Sequence, residues 1–296
     1  MAQRAPGALL DARFVERLER LALLARRPVR GWVAGRRRSR ASGHSVEFRD
    51  HRAYGAGDDL RYLDWNVYGR TDRLHVKRFV DDEDLCLHLL LDASASMDWG
   101  EPSKLGWAAR VAAALGFVAL ASLERVAFGV LRARLEGGWP PARGRARISA
   151  LFEALASVRG EGTTDLDAAL ADYARRAPPG GVAVVLSDLL APRGYERGLA
   201  ALAERRLEVH VVHVLGPEDF APSLAGDLRL VDHETGEVRE LCVDAETRRE
   251  YRARLEAFCA RAAQYCRAHE IGYYRASSAT APEEMVFGPL RGRLLA

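Results

Sequence analysis

Lysine is nearly missing from this sequence: Lys77 and Lys104 are the only two among 44 basic residues. The arginine bias reads first as genome composition. A formal net charge of +3 over 296 residues does not by itself imply a polyanionic partner. Cysteine is sparse too, since Cys86, Cys242, Cys259 and Cys266 form no CxxC pair. That excludes a disulfide framework and fits a reducing cytoplasm. Long apolar runs are also missing. The longest uncharged one, residues 111–123, is too short to span a bilayer and is expected to be a core helix. The apolar segment near the N-terminus is too short for a signal peptide, so a cytoplasmic protein without an integral membrane segment is expected.

Several catalytic signatures are absent as well. No GxxxxGK[ST] phosphate loop and no GxSxG nucleophile elbow occur. An EF-hand starting at Asp92 would need Gly and Glu where Met97 and Ser103 stand. A dehalogenase-type phosphatase would need a second aspartate where Ser94 stands. Gly55 and Gly57 begin a dinucleotide fingerprint that Leu60 breaks.

What is present is a globular composition, 48% apolar and 29% charged, with no internal repeat or low-complexity tract. Residues 11–27 place Phe14, Leu18, Leu21 and Leu24 on one helical face, and Pro28 stops the helix. The following Gly-, Ser- and Arg-rich stretch, with "RRRSR" at 36–40, reads as a solvated loop; no base-reading module accompanies it, so no nucleic-acid partner is expected. From about residue 84, short apolar runs alternate with amphipathic stretches. Strands are expected at 85–92, 125–131, 182–188, 208–215 and 271–275. Helices are expected near 103–122, 145–157, 165–176, 194–205 and 245–269, and an inserted hairpin at 226–243. The pattern predicts an α/β fold: a doubly wound, mostly parallel sheet flanked by helices. Residues 1–83 form an N-terminal helical and loop extension packed on the domain at 84–296.

In such a sheet, ligands bind beyond the carboxyl ends of the strands. "LLLDASAS" ends an apolar strand in Asp92 and follows it with Ser94 and Ser96. "VAVVLSD" ends in Asp188, and "GEGTTDLDAAL" sets Thr163 and Thr164 at a helix start. Each serine or threonine alone would suit a turn or a helix cap. Together they form a hard-oxygen set suited to Mg²⁺ or Mn²⁺, with two carboxylates balancing the charge and neutral hydroxyls completing the shell.

This constellation resembles the metal-ion-dependent adhesion site of von Willebrand factor type A domains. Residues 45–79, "SVEFRDHRAYGAGDDLRYLDWNVYGRTDRLHVKRF", look like the signature of bacterial domain-of-unknown-function family 58, as do "DLRLVDHETGEVREL" and "YYRASSATAPEEM". The resemblance implies a von Willebrand A / Rossmann-like fold holding Mg²⁺ through Asp92, Ser94, Ser96, Thr164 and Asp188. Thr164 is preferred because it lies six residues before Leu170, matching the family spacing, with Thr163 as the alternative. The resemblance also implies work beside a MoxR-type AAA ATPase. The expected function is therefore non-enzymatic: a Mg²⁺-dependent protein-interaction module that binds an Asp or Glu of a client protein. A metal-dependent phosphoester hydrolase on the same site is the alternative. The Arg-, Asp- and aromatic-rich block around Arg61, Asp64, Trp65, Arg70 and Asp72 is expected to clip the N-terminal segment to the main domain.

Overall fold

A computed structural model describes residues 9–25, 48–55, 58, 60–79, 86–220, 222, 224, 226–232 and 236–294. The basic loop at 36–40 lies outside the described residues. The chain forms two compact units, one of Met1–Val29 with Leu85–Ala296, the other of Arg30–Asp84. The N-terminal helix and the block at 45–79, expected as one extension, thus fall in different units.

In the smaller unit, strand β1 (Phe48–Ala53) pairs antiparallel with β2 (His75–Phe79), and helix α2 (Trp65–Thr71) lies between them in sequence. Asp64 caps α2 by accepting from the amides of Asn66 and Val67, and its other oxygen lies 2.8 Å from His51 Nε2. Asp72 ends the helix at φ 53° and returns its amide to the Tyr68 carbonyl. Within this unit, two aspartates of the signature block therefore end the helix, Asp64 through its carboxylate and Asp72 through its backbone.

The larger unit is built on a six-stranded sheet in the order β10-β7-β6-β3-β4-β5. Its strands are β3 (Cys86–Asp92), β4 (Arg125–Leu131), β5 (Leu135–Arg143), β6 (Val182–Ser187), β7 (Glu208–Leu215) and β10 (Gly272–Ser277). All neighbours run parallel except β4 and β5. The result is a mixed α/β fold with a mostly parallel central sheet. β5 was not expected from sequence; it pairs antiparallel at one margin of the sheet and carries Pro140 and Pro141.

The alternation of β3 shows why helices cover both faces. Leu89 and Leu91 join the core with helix α3 (Lys104–Ala121) and helix α4 (Ile148–Ser157), while Leu90 joins that of α5 (Leu166–Arg176) and α6 (Glu196–Glu204). Helix α8 (Ala245–Ala268) adds Ala262 and Cys266 to the second core. Each buried leucine contributes roughly 1.5–3 kcal/mol by leaving water. On the first face, helix α1 (Ala12–Ala25) buries Phe14, Leu18 and Leu21 against α3, with the Phe14 ring edge-on to Phe287 at 5.9 Å. The side chain of Leu24 lies outside the described residues. The predicted hairpin is β8 (Gly226–Val231) paired with β9 (Val238–Val243), largely exposed.

The apolar run at 111–123 lies mostly within α3, whose 18 residues are long and apolar enough to cross a membrane. However, 83% of them are buried inside the protein, so drawing α3 into lipid would dismantle the first core.

His88 is fully buried on β3, with Nδ1 2.7 Å from the Tyr173 hydroxyl, and burial lowers its pKa to about 4. A lowered imidazole favours the fold while neutral. Its contribution is complete above about pH 6.5 and is lost as pH falls towards 4, about 3 kcal/mol in all. Between pH 7 and pH 4, a His88→Phe variant should therefore lose about 3 kcal/mol less stability than the wild type in urea melts. Parallel losses would refute this account.

Candidate functional site

The strand order reverses at β3: β4 and β5 extend the sheet one way, while β6, β7 and β10 extend it the other. The carboxyl ends of β3 and β6 therefore flank a topological switch point, where open α/β sheets leave a crevice. Asp92 is the last residue of β3, and Asp188 immediately follows β6. Both are fully buried.

Beyond Asp92 the chain enters a 3-10 turn at Ala95–Asp98. Asp92 Oδ1 accepts from the Ser94 amide at 3.0 Å and from the Ser94 hydroxyl at 2.8 Å. Ser94 Oγ lies 3.0 Å from Ser96 Oγ. The Thr164 hydroxyl donates to the same Oδ1 at 3.4 Å. Two backbone bonds draw the Thr164 loop in, Ala95 N–H to Gly162 O and Glu161 N–H to Ala93 O, each 3.1 Å. Gly160 permits this approach, because a β-carbon there would lie 2.4 Å from the Asp98 side chain.

Ordinary capping does not explain these hydroxyls. Ser103 caps α3 by accepting from the Gly106 amide, and Asp165 caps α5 by accepting from the Ala168 amide. Ser94 precedes the 3-10 turn but makes no side-chain cap bond to it. Thr164 is buried, whereas its neighbour Thr163 is exposed.

Three further residues complete the cluster, and sequence reasoning had not singled them out. The Ser187 hydroxyl donates to Asp92 Oδ2 at 2.6 Å. The Lys104 ammonium donates to Asp188 Oδ2 at 2.7 Å and lies 3.5 Å from Asp219 Oδ2. Asp219 sits on the short helix α7 (Pro217–Phe220) after β7. Asp188 Oδ1 accepts from the Leu190 amide at 3.0 Å, so both of its oxygens have protein donors. One signal could have exposed Lys104: a lone lysine at a helix start in an arginine-rich chain.

The two carboxylates differ electrostatically. Burial alone would lower the Lys104 pKa, but the charges of Asp188 and Asp219 outweigh it and raise the value, so the ammonium stays charged. Burial, and then the charge of Asp188, push Asp92 up from its usual 3.8 to about 6; its bonds to Ser187 and Ser94 offset this only in part. Among the described residues, every donor bonded to Asp92 is a neutral hydroxyl or amide. Among the described residues, no three His, Cys, Asp or Glu side chains are grouped so as to hold a metal ion.

Fold and site together define an α/β protein with a buried cluster of carboxylates and hydroxyls at the switch point of its sheet. A family model described as "Protein of unknown function DUF58" matches residues 50–260, and the chain belongs to that family. It is 32% identical over 254 residues to an uncharacterized protein of Mycobacterium tuberculosis (strain H37Rv), covering 83% of this chain and 78% of the relative. Two similar solved structures are a conserved hypothetical protein, BatB, from Bacteroides thetaiotaomicron and a von Willebrand factor type A protein from Catenulispora acidiphila. BatB is 16% identical with a TM-score of 0.42, covering 71% of this chain and 96% of that one. The second is 16% identical with a TM-score of 0.38, covering 61% and 43%.

Proposed function

We propose that this protein is a cytoplasmic, non-enzymatic interaction module of von Willebrand A type that engages a partner carboxylate through Mg²⁺. The observation that carries this reading is Asp92, fully buried and held only by neutral donors among the described residues. A desolvated carboxylate is costly unless a cation compensates it. The cluster fits a divalent ion of the hard class. Neighbouring oxygens around Mg²⁺ with bonds of about 2.1 Å stand about 3.0 Å apart in an octahedron. Here the Asp92–Ser94, Ser94–Ser96 and Asp92–Thr164 separations are 2.8, 3.0 and 3.4 Å. Asp92, Ser94, Ser96 and Thr164 would hold the ion, with Asp188 contributing charge from behind its own hydrogen bonds. Mn²⁺ would suit the same oxygens. The ion supplies an electrophilic point for an outside Asp or Glu.

A phosphoester hydrolase on the same residues would need a carboxylate or imidazole poised as a base. Asp92 and Asp188 each accept protein hydrogen bonds on both oxygens, which leaves them poorly placed for that task. The family resemblance makes a MoxR-type AAA ATPase the natural assembly partner, with a client protein supplying the carboxylate. The test is capture of the client, with such an ATPase present, by the tagged full chain in Mg²⁺ and in EDTA. Capture should fall at least tenfold in EDTA and recover with Mg²⁺; equal capture in both would sink the mechanism.

A further inference from the structure

Lys104 stands where a lysine is least expected. It is the first residue of α3, where the helix dipole disfavours a cation, and its side chain is only 2% exposed. A buried ammonium at a helix start costs stability on both counts. Its contacts show what it serves: Asp188 Oδ2 at 2.7 Å and Asp219 Oδ2 at 3.5 Å. Asp219 is itself anchored, accepting the Gly216 amide at 2.7 Å. Lys104 thus ties three sheet-end segments together, those after β3, β6 and β7.

We infer that Lys104 sets the charge of the cation site. It acts as a built-in monovalent cation that weakens the hold on a divalent ion and readies the loaded site for an outside carboxylate. This inference rests on reading the Asp92 cluster as a divalent-cation site. The linked groups are three carboxylates, Asp92, Asp188 and Asp219, and one ammonium, which together sum to −2. A divalent ion brings that sum to zero. Without Lys104 the loaded site would remain at −1 and would repel a further anion. Lys104 also engages one oxygen of Asp188 while the Leu190 amide takes the other, which restrains that carboxylate from competing for the ion.

The prediction has a sign that a merely structural lysine does not share. Mn²⁺ alone is the probe, followed by electron paramagnetic resonance of the free ion during titration of the full chain, with circular dichroism to verify folding. Lys104→Gln should bind Mn²⁺ roughly tenfold or more tightly than the wild type, because a unit positive charge has left a buried site. Asp219→Asn should weaken binding by a similar factor, because a negative charge has left it. Loss of a structural ion pair would instead weaken both. Binding by the wild type with equal or weaker binding by folded Lys104→Gln overturns the inference and spares the metal-site reading. Binding by Lys104→Gln alone supports the inference and overturns Mg²⁺-dependent function in the wild type. Failure of both to bind overturns both. Should Lys104→Gln not fold, Asp219→Asn decides: weaker binding supports the inference, and unchanged or tighter binding overturns it.

Discussion

Asp92→Asn should abolish the response of this protein to Mg²⁺ while leaving its fold intact. The amide has almost the shape of the carboxylate. Its oxygen can take the Oδ1 position and accept from Ser94, while its NH₂ in the Oδ2 position donates to the Ser187 hydroxyl instead of accepting from it, so the rim of β3 keeps most of its contacts. What it removes is a negative charge buried beside that of Asp188. In EDTA the variant should therefore melt at or above the wild-type temperature, because a desolvation cost is gone. In Mg²⁺ the order should invert. A ligand at about 100 times its dissociation constant stabilises the native state by about 2.7 kcal/mol, and only the wild type should gain this. Partner capture should become insensitive to EDTA in the variant. A Mg²⁺-induced rise in melting temperature equal in both proteins would remove Asp92 from the site.

The second large effect concerns folding. Gly180 and Gly181 both have positive φ, 82° and 103°, just before β6. They differ in surroundings. A β-carbon on Gly180 meets nothing within 4 Å, whereas one on Gly181 would lie 2.3 Å from the Cys86 carbonyl oxygen. That oxygen belongs to the backbone of β3 and cannot rotate away. Gly181 also accepts the Glu208 amide at 2.9 Å, so its position is fixed from β7 as well. Gly180→Ala should cost about 1–2 kcal/mol, the strain of a left-handed L-residue. Gly181→Ala should cost at least about 3 kcal/mol more, a large share of the stability of an ordinary domain. Urea midpoints with unchanged slopes would measure the difference. Equal costs would mean that the strands can part at that point without penalty.

Much of the sheet was legible because period and length agree in its buried strands. β3, β4, β6 and β7 are short, almost wholly apolar and bounded by helical stretches, which few arrangements other than a parallel core satisfy. β5 was not legible. "LEGGWPPAR" holds two glycines and two prolines, and only pairing with β4 makes a strand of it. The same division runs through the site. Asp92, Ser94 and Ser96 are two apart in sequence, so strand geometry alone suggested their convergence. Thr164 was preferred to Thr163 by the family spacing alone, and burial now separates the two physically. Lys104 and Asp219 are 115 positions apart and meet only through tertiary packing, which no local pattern reports.

The margin of the sheet at β5 bears on how the molecule behaves in a crowd. A sheet margin recruits foreign strands by offering a ladder of amide hydrogens. Pro140 and Pro141 break that ladder, because successive strand positions face alternate sides and one of the two therefore offers no outward amide hydrogen. Cross-chain strand addition at this side is therefore discouraged by covalent structure rather than by charge. Replacing both prolines would leave the interior untouched while making concentrated solutions of the protein more prone to polymerise.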